Sequence, residues 1–154
     1  TGRPFTGDFA GDLLYLTLSA YGFSSGTYES RPDDGVELVN CRIANAVRCV
    51  PPQNKPVGAE IKACAPFLGE EIAAMENLKL ILALGTIAHN SALNVFGHRK
   101  ALFKFGHNHL HEFEQGPHIL DSYHCSRYNT NTGRLTTQMF HDVFDRIRRI
   151  IPLS

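Results

Sequence analysis

The run LKLILALG, residues 78–85, constrains this chain more than any other stretch. Only Lys79 interrupts an otherwise apolar segment. A surface helix would space its apolar residues three and four apart, and a half-buried strand would alternate them. This run does neither, so it reads as a strand covered on both faces, as in a parallel sheet. Parallel strands need crossover connections, usually helices. The rest of the chain should therefore alternate strand and helix, and it does. Gly85 leads straight into the helical pattern TIAHNSALNVFG. Upstream, a helix is expected from Gly7 or Asp8 to about Gly22, with Phe9, Leu13, Leu14, Leu16 and Leu18 on or near one face. Residues 24–35, rich in Ser, Gly, Pro and Asp, read as a loop. A buried strand is expected over 41–46, then the rigid loop PPQNKP. A helix over about 57–75 follows, which Pro66 should kink or split. HLHEF and HILDSYH look like two further strands. LTTQMFHDVFDRIRRII closes the chain as a helix whose apolar stripe is Leu135, Met139, Val143, Ile147, Ile150 and Ile151. The expected fold is α/β: a three-layer α/β/α sandwich around a central, mostly parallel sheet of about four strands.

Bulk composition narrows the function classes. At 154 residues the chain is expected to form a single domain over 1–154. With 43% hydrophobic and 19% charged residues it is an ordinary globular sequence. No apolar run of ~18 residues is present, so no membrane-spanning helix is expected. No signal peptide or polybasic targeting tract appears, and the expected location is cytoplasmic. The formal net charge of zero argues against nucleic-acid binding by bulk electrostatics. Basic residues are nevertheless clustered at His98, Arg99 and Lys100, at Arg127 and Arg134, and between Arg146 and Arg149, so a local basic cleft is allowed. The four cysteines, Cys41, Cys49, Cys64 and Cys125, contain no CxxC pair, and a disulfide framework is not expected. The chain opens with TGRPFTGD and not with methionine, which reads as the middle of a loop and leads us to expect a missing upstream segment.

In open α/β sheets ligands bind beyond the carboxyl ends of the strands. Three polar clusters lie at or beside such ends or in glycine loops: GRPFTGD, ANAVRCVPP and YHCSRYN. One composite site is therefore expected. Its most distinctive part is DSYHCSRYNTNTGRL, where an apolar strand stops at His124 and a mostly polar loop follows.

GRPFTGD, NAVRCVPPQNKP, ACAPFL, LALG and SYHCSRYNTNTGRLT, in this order, resemble the uracil-DNA glycosylase superfamily. The resemblance is to its iron–sulfur branch, and within that to the family 5, or B-type, enzymes. It runs through nearly the whole chain. GRPFTG and LALG are weak individually, while the last motif and NAVRC-PP-NKP are specific. Family members carry an upstream glycine-rich motif and two more cysteines that are absent from these residues. The resemblance implies a monofunctional DNA repair glycosylase. Such an enzyme hydrolyses the N-glycosidic bond of uracil, with hypoxanthine and xanthine as further candidate bases. It flips the nucleotide out of the duplex and leaves an abasic site.

Residue by residue, the resemblance assigns Phe5, beside Gly7, as the stacking wall for the base. Alone, Phe5 would read as a loop phenylalanine filling the core. Asn45 would pair with uracil's O4 and N3–H, since an amide offers both a donor and an acceptor. His124 would hydrogen-bond the developing charge on uracil O2, and Cys125 stands where the family's histidine motif has proline. Asp8 is the candidate carboxylate for positioning water or stabilising the cationic sugar, although aspartate is also a common helix N-cap. Asp12, one turn later, is the weaker substitute. Ser126, Arg127, Asn131 and Arg134 would hold DNA as an intercalating loop, with Asn129 and Gly133 allowing its turns. Thr136 is a candidate cap for the final helix.

Cys49 and Cys64 match positions that supply two of the four thiolates of a [4Fe–4S] cluster in the family. Their role would be structural, and no nucleotide cofactor is implied. Cys41 and Cys125 are not obvious substitutes. His107, His109 and His111 alternate and invite a zinc-hydrolase reading, but no acid or cysteine is spaced convincingly with them. A polar sheet edge is the better expectation, and the R-I-R-R run reads as a solvated helix face. The implied partner is DNA carrying deaminated bases, with no membrane and a monomeric chain. The competing expectation is a relative of the same fold that binds DNA without excising anything.

Overall fold

The computed structural model describes residues 9–31, 34–44 and 68–153. The chain divides into two compact units, one from Thr1–Ile43 with Tyr123–Ser154, the other from Ala44–Ser122.

The first described element of the first unit is helix α1, Phe9–Ala20, close to the expected bounds. Short strands β1, Ser24–Ser25, within the segment 24–35 expected as a loop, and β2, Glu37–Leu38, just beyond it, pair antiparallel. Gly26 holds this turn closed: its φ is +85°, and a Cβ there would collide with the Gly35 carbonyl. The buried strand expected over 41–46 does not form in its described part, 41–44. Asn40 just ahead adopts φ 57°, a left-handed conformation that ends an extended run. Asn45 and Ala46 lie outside the described residues.

Two further helices are described in this unit: α3, Arg127–Asn131, and α4, Thr137–Ile150. Thr136 caps α4 as expected, its hydroxyl accepting from the Met139 N–H at 3.1 Å. Phe140, Val143, Phe144 and Ile147 are buried along α4, which packs on α1. Phe140 and Phe144 share the apolar stripe that the aliphatic positions had marked out. Full burial of one such side chain stabilises by about 1.5–3 kcal/mol.

The second unit holds a three-stranded sheet in the order β3-β5-β4. Strand β3 is Leu80–Leu84, and helix α2 is Thr86–Val95. Strand β4 is Leu110–His111, and β5 is His118–Ser122. β3 and β5 run parallel, with Leu80 opposite His118 and Leu84 opposite Ser122. β4 pairs antiparallel with β5. The described sheet is thus mixed and three-stranded, not mostly parallel with about four strands. The six residues between β4 and β5 are too few for a crossover, so this pair must be antiparallel. The Phe113 N–H donates to His118 Nδ1 at 3.0 Å and closes the connection.

The central described strand is β5 rather than the apolar β3. Four of its five residues are buried, including Asp121 and Ser122. Gly85 joins β3 to α2 with φ 95°, and its N–H donates to the Ser122 carbonyl at 2.8 Å. Ala83, Ala92, Leu93 and Ile119 form the core between sheet and helix, with Phe103 and Phe113 against it. Residues 68–73 are helical, within the helix expected over 57–75. A single-turn 3₁₀ helix spans Lys100–Leu102.

Candidate functional site

The polar segment after His124 folds as a helix, where an intercalating loop was expected. Ser126 has extended backbone angles, and its hydroxyl accepts from the Asn129 N–H at 3.2 Å. This N-cap starts α3. The Thr130 and Thr132 hydroxyls donate back to carbonyls within the turn. Gly133, at φ 77°, ends it, and the Leu135 N–H donates to the Asn129 carbonyl at 3.0 Å. Serine and threonine compete for nearby backbone groups. Here that competition builds one tight capped turn, a pattern with no hydrophobic period to announce it.

His124 is half-buried, and its carbonyl accepts the Asn129 side-chain amide at 2.9 Å. Arg127, Asn131 and Arg134 are exposed. The Arg134 guanidinium lies 5.8 Å from the centre of the Tyr123 ring. Ser126 spends its oxygen on the cap, while its hydroxyl proton can still be given to an anion. Tyr128 went unremarked in the sequence and is 70% exposed on the same turn. An aromatic residue inside a polar run was the signal. Cys125 is fully buried, with its thiol donating to the Ala10 carbonyl at 3.3 Å. It fills space and bonds backbone where the resembled family has proline.

Phe5, Gly7, Asp8, Asn45, Cys49 and Cys64 lie outside the described residues. Asp12, the weaker carboxylate candidate, is occupied: its Oδ1 accepts from the Tyr28 hydroxyl at 3.0 Å and from the Ser30 hydroxyl at 2.9 Å.

The described cysteines do not fit a four-thiolate cluster. Burial pushes the Cys41 thiol above its ordinary range, although a hydrogen bond from the Val39 backbone and the Arg148 charge oppose the rise. Its Sγ lies 3.5 Å from the Phe23 carbonyl. A cluster needs thiolates, whereas the Cys41 and Cys125 thiols both face carbonyl oxygens.

The R-I-R-R run is not a uniformly solvated face. The Arg148 guanidinium stacks 3.8 Å above the Phe23 ring, donates to the Tyr21 carbonyl at 2.8 Å and reaches the Ile151 carbonyl at 3.1 Å.

The alternating histidines do not form a plain polar edge either. His111 is buried, and its Nε2 lies 2.8 Å from Asp121 Oδ2. The other carboxylate oxygen lies 2.8 Å from His89 Nδ1. The acid missing from the sequence pattern is Asp121, brought across from β5, and the second histidine comes from α2. An aspartate inside the apolar strand HILDS was the available clue.

Residues 1–148 match the family model described as the uracil DNA glycosylase superfamily. The chain belongs to that superfamily, and its relatives place it among the type-5 enzymes. It is 43% identical over 153 residues to a type-5 uracil-DNA glycosylase of Thermus thermophilus, covering 99% of this chain and 69% of that protein. Similarity to the type-5 enzyme of Pyrobaculum aerophilum is 38% identity over 146 residues, covering 95% of this chain and 63% of that protein. For that of Mycobacterium tuberculosis it is 37% over 152 residues, covering 97% and 57%. The chain thus spans between 57% and 69% of the length of these three relatives. No described helix is long and apolar enough to cross a membrane.

Proposed function

We propose that the protein removes uracil from DNA by hydrolysing its N-glycosidic bond after flipping the nucleotide out of the stack, leaving an abasic site. The observation that carries this is type-5 membership along almost the whole chain. Hypoxanthine and xanthine are further candidate bases. In this reading the water oxygen bonds to the sugar's C1′ as the carbon–nitrogen bond breaks, the base leaves as an anion with the bonding electrons, and the proton that water loses ends on the base. His124 donates a hydrogen bond to uracil O2 as charge builds there. Removing one such donor typically costs 10²–10³ in rate. Asn45 reads O4 and N3–H, Phe5 stacks on the base beside Gly7, and Asp8 orients water or offsets the cationic sugar. Ser126, Arg127, Asn131 and Arg134 contact DNA from a rigid capped turn rather than a loose loop.

Cys49 and Cys64 would contribute two of the four thiolates of a structural [4Fe–4S] cluster. No step of base excision runs through it. We further propose a single domain built on a three-layer α/β/α sandwich, which the parallel β3–α2–β5 connection supports. A monomer acting on one nucleotide, in the DNA-containing cytoplasm of a bacterial-type cell, completes the reading.

The test is strand cleavage of a labelled uracil-containing oligonucleotide after alkali, comparing the protein with Asn45→Ala and His124→Ala. Excision that both substitutions suppress while the fold is kept supports the proposal. Tight DNA binding with no excision by the folded, unsubstituted protein would replace it with a non-catalytic DNA-binding relative.

A further inference from the structure

We propose that His89, His111 and Asp121, none of which the proposed excision chemistry uses, bind one divalent transition-metal ion of the zinc class. The three side chains come from α2, β4 and β5 and are 1%, 5% and 0% exposed. Their ligating atoms lie within 4.8 Å of one another.

Hydrogen-bond chemistry places either an added proton or a metal ion between His89 and the carboxylate. His89 Nε2 lies 2.7 Å from the Phe103 carbonyl. A carbonyl has no proton to give, so Nε2 carries the hydrogen. In neutral imidazole Nδ1 then holds a lone pair, which faces Asp121 Oδ1 at 2.8 Å. Two lone pairs at that distance repel unless a proton or a metal ion lies between them.

Several features favour the metal. Three donors converge where a shared proton would need two, and they sit on regular elements that fix them before binding. The Phe103 carbonyl on the remote nitrogen is the outer partner that metal-ligating histidines almost always have. The Gly106 N–H, 3.3 Å from Asp121 Oδ2, holds the carboxylate in turn. The backbone of Asp121 is also pinned, donating to the His109 carbonyl at 3.0 Å and accepting from the Asn108 N–H at 2.8 Å. Two imidazoles and one carboxylate suit zinc, cobalt or nickel. The exposed His109 ring stacks on His111 with centroids 4.4 Å apart.

The test is Co²⁺ titration of the chelator-treated full chain, read by its visible absorption. One equivalent of cobalt giving ligand-field bands without a thiolate charge-transfer band is the expected result. Asp121→Asn should keep the fold, because its amide can donate to the His89 lone pair. It should weaken cobalt binding at least about 100-fold, more than loss of an outer partner would. His111→Gln provides the same comparison should Asp121→Asn fail to fold. The proposal is overturned if the unsubstituted chain takes up no cobalt, which leaves a proton in the trio. Bands that survive in a folded variant, or thiolate bands alone, overturn it equally.

Discussion

The Asn129 side-chain amide donates to the His124 carbonyl at 2.9 Å, and the Asn129 N–H is held by the Ser126 hydroxyl. One residue therefore ties the proposed leaving-group donor to the cap of the turn that follows it. Asn129→Ala removes the bond to His124 while the cap remains. A hydrogen bond of this kind is worth about 1 kcal/mol net, and 1.36 kcal/mol is tenfold in rate. We expect kcat for uracil excision to fall roughly five- to tenfold, with far-UV circular dichroism unchanged. An unchanged kcat would mean that this tie does not position His124.

That tie was legible only in part. The sequence marks His124 because an apolar run stops there, and it marks α4 because an amphipathic stripe and Thr136 announce it. It does not mark α3, whose five residues make too little of a helical period to read. Side-chain caps shape that turn, and caps depend on geometry as much as on residue type. The relation of His111 to Asp121 was hidden for another reason. Ten residues separate them, and only the antiparallel pairing of β4 with β5 brings them together. His89 is farther still and arrives through a helix crossover. Apolar periodicity reports what each element buries, whereas polar clusters arise from how elements pair. Over the described part of the strand expected at 41–46, residues 41–44 are not paired, and Asn40 just ahead takes a left-handed conformation that composition does not dictate.

Arg127, Tyr128 and Arg134 should separate two kinds of DNA contact. An arginine that neutralises one phosphate contributes about 0.9 to the slope of log affinity against log salt on duplex DNA. Arg127→Ala and Arg134→Ala should each lower that slope by about 1. Tyr128→Ala should leave the slope unchanged yet weaken binding to single-stranded uracil DNA by about 1–3 kcal/mol if the ring stacks on a base. Fluorescence anisotropy across a salt series measures both. A slope untouched by either arginine substitution would remove this turn from the DNA-binding surface.

Arg148 is expected to stabilise the fold rather than bind DNA. Its guanidinium lies on the Phe23 ring and bonds the Tyr21 and Ile151 carbonyls. A hydrogen bond from a charged group contributes about 1.5–3 kcal/mol. Arg148→Ala should lower unfolding free energy in urea by about 2 kcal/mol. Arg148→Lys should recover only part of this, because an ammonium lacks the planar fork that reaches both carbonyls. The salt dependence of DNA binding should not change in either variant.

Tyr21 sets an alkaline limit on stability. Its hydroxyl donates to Asp145 Oδ1 at 2.8 Å. Burial, then the hydrogen bond to Asp145, then the charges of Asp145 and Asp142 push it from its ordinary value up to about 12. The folded state therefore holds this proton more tightly than the unfolded chain, whose tyrosines titrate near about pH 10. The resulting stabilisation is fully present below about pH 10 and is lost as pH rises towards about 12, because the unfolded state releases its proton first. Tyr21→Phe removes the proton-linked term, so its urea midpoint should fall less steeply over this window than that of the unsubstituted chain. The difference between the two proteins isolates Tyr21. Ultraviolet titration of the phenolate should show a late-ionising component that the substitution removes. Identical stability profiles would mean that the bond to Asp145 does not persist in solution.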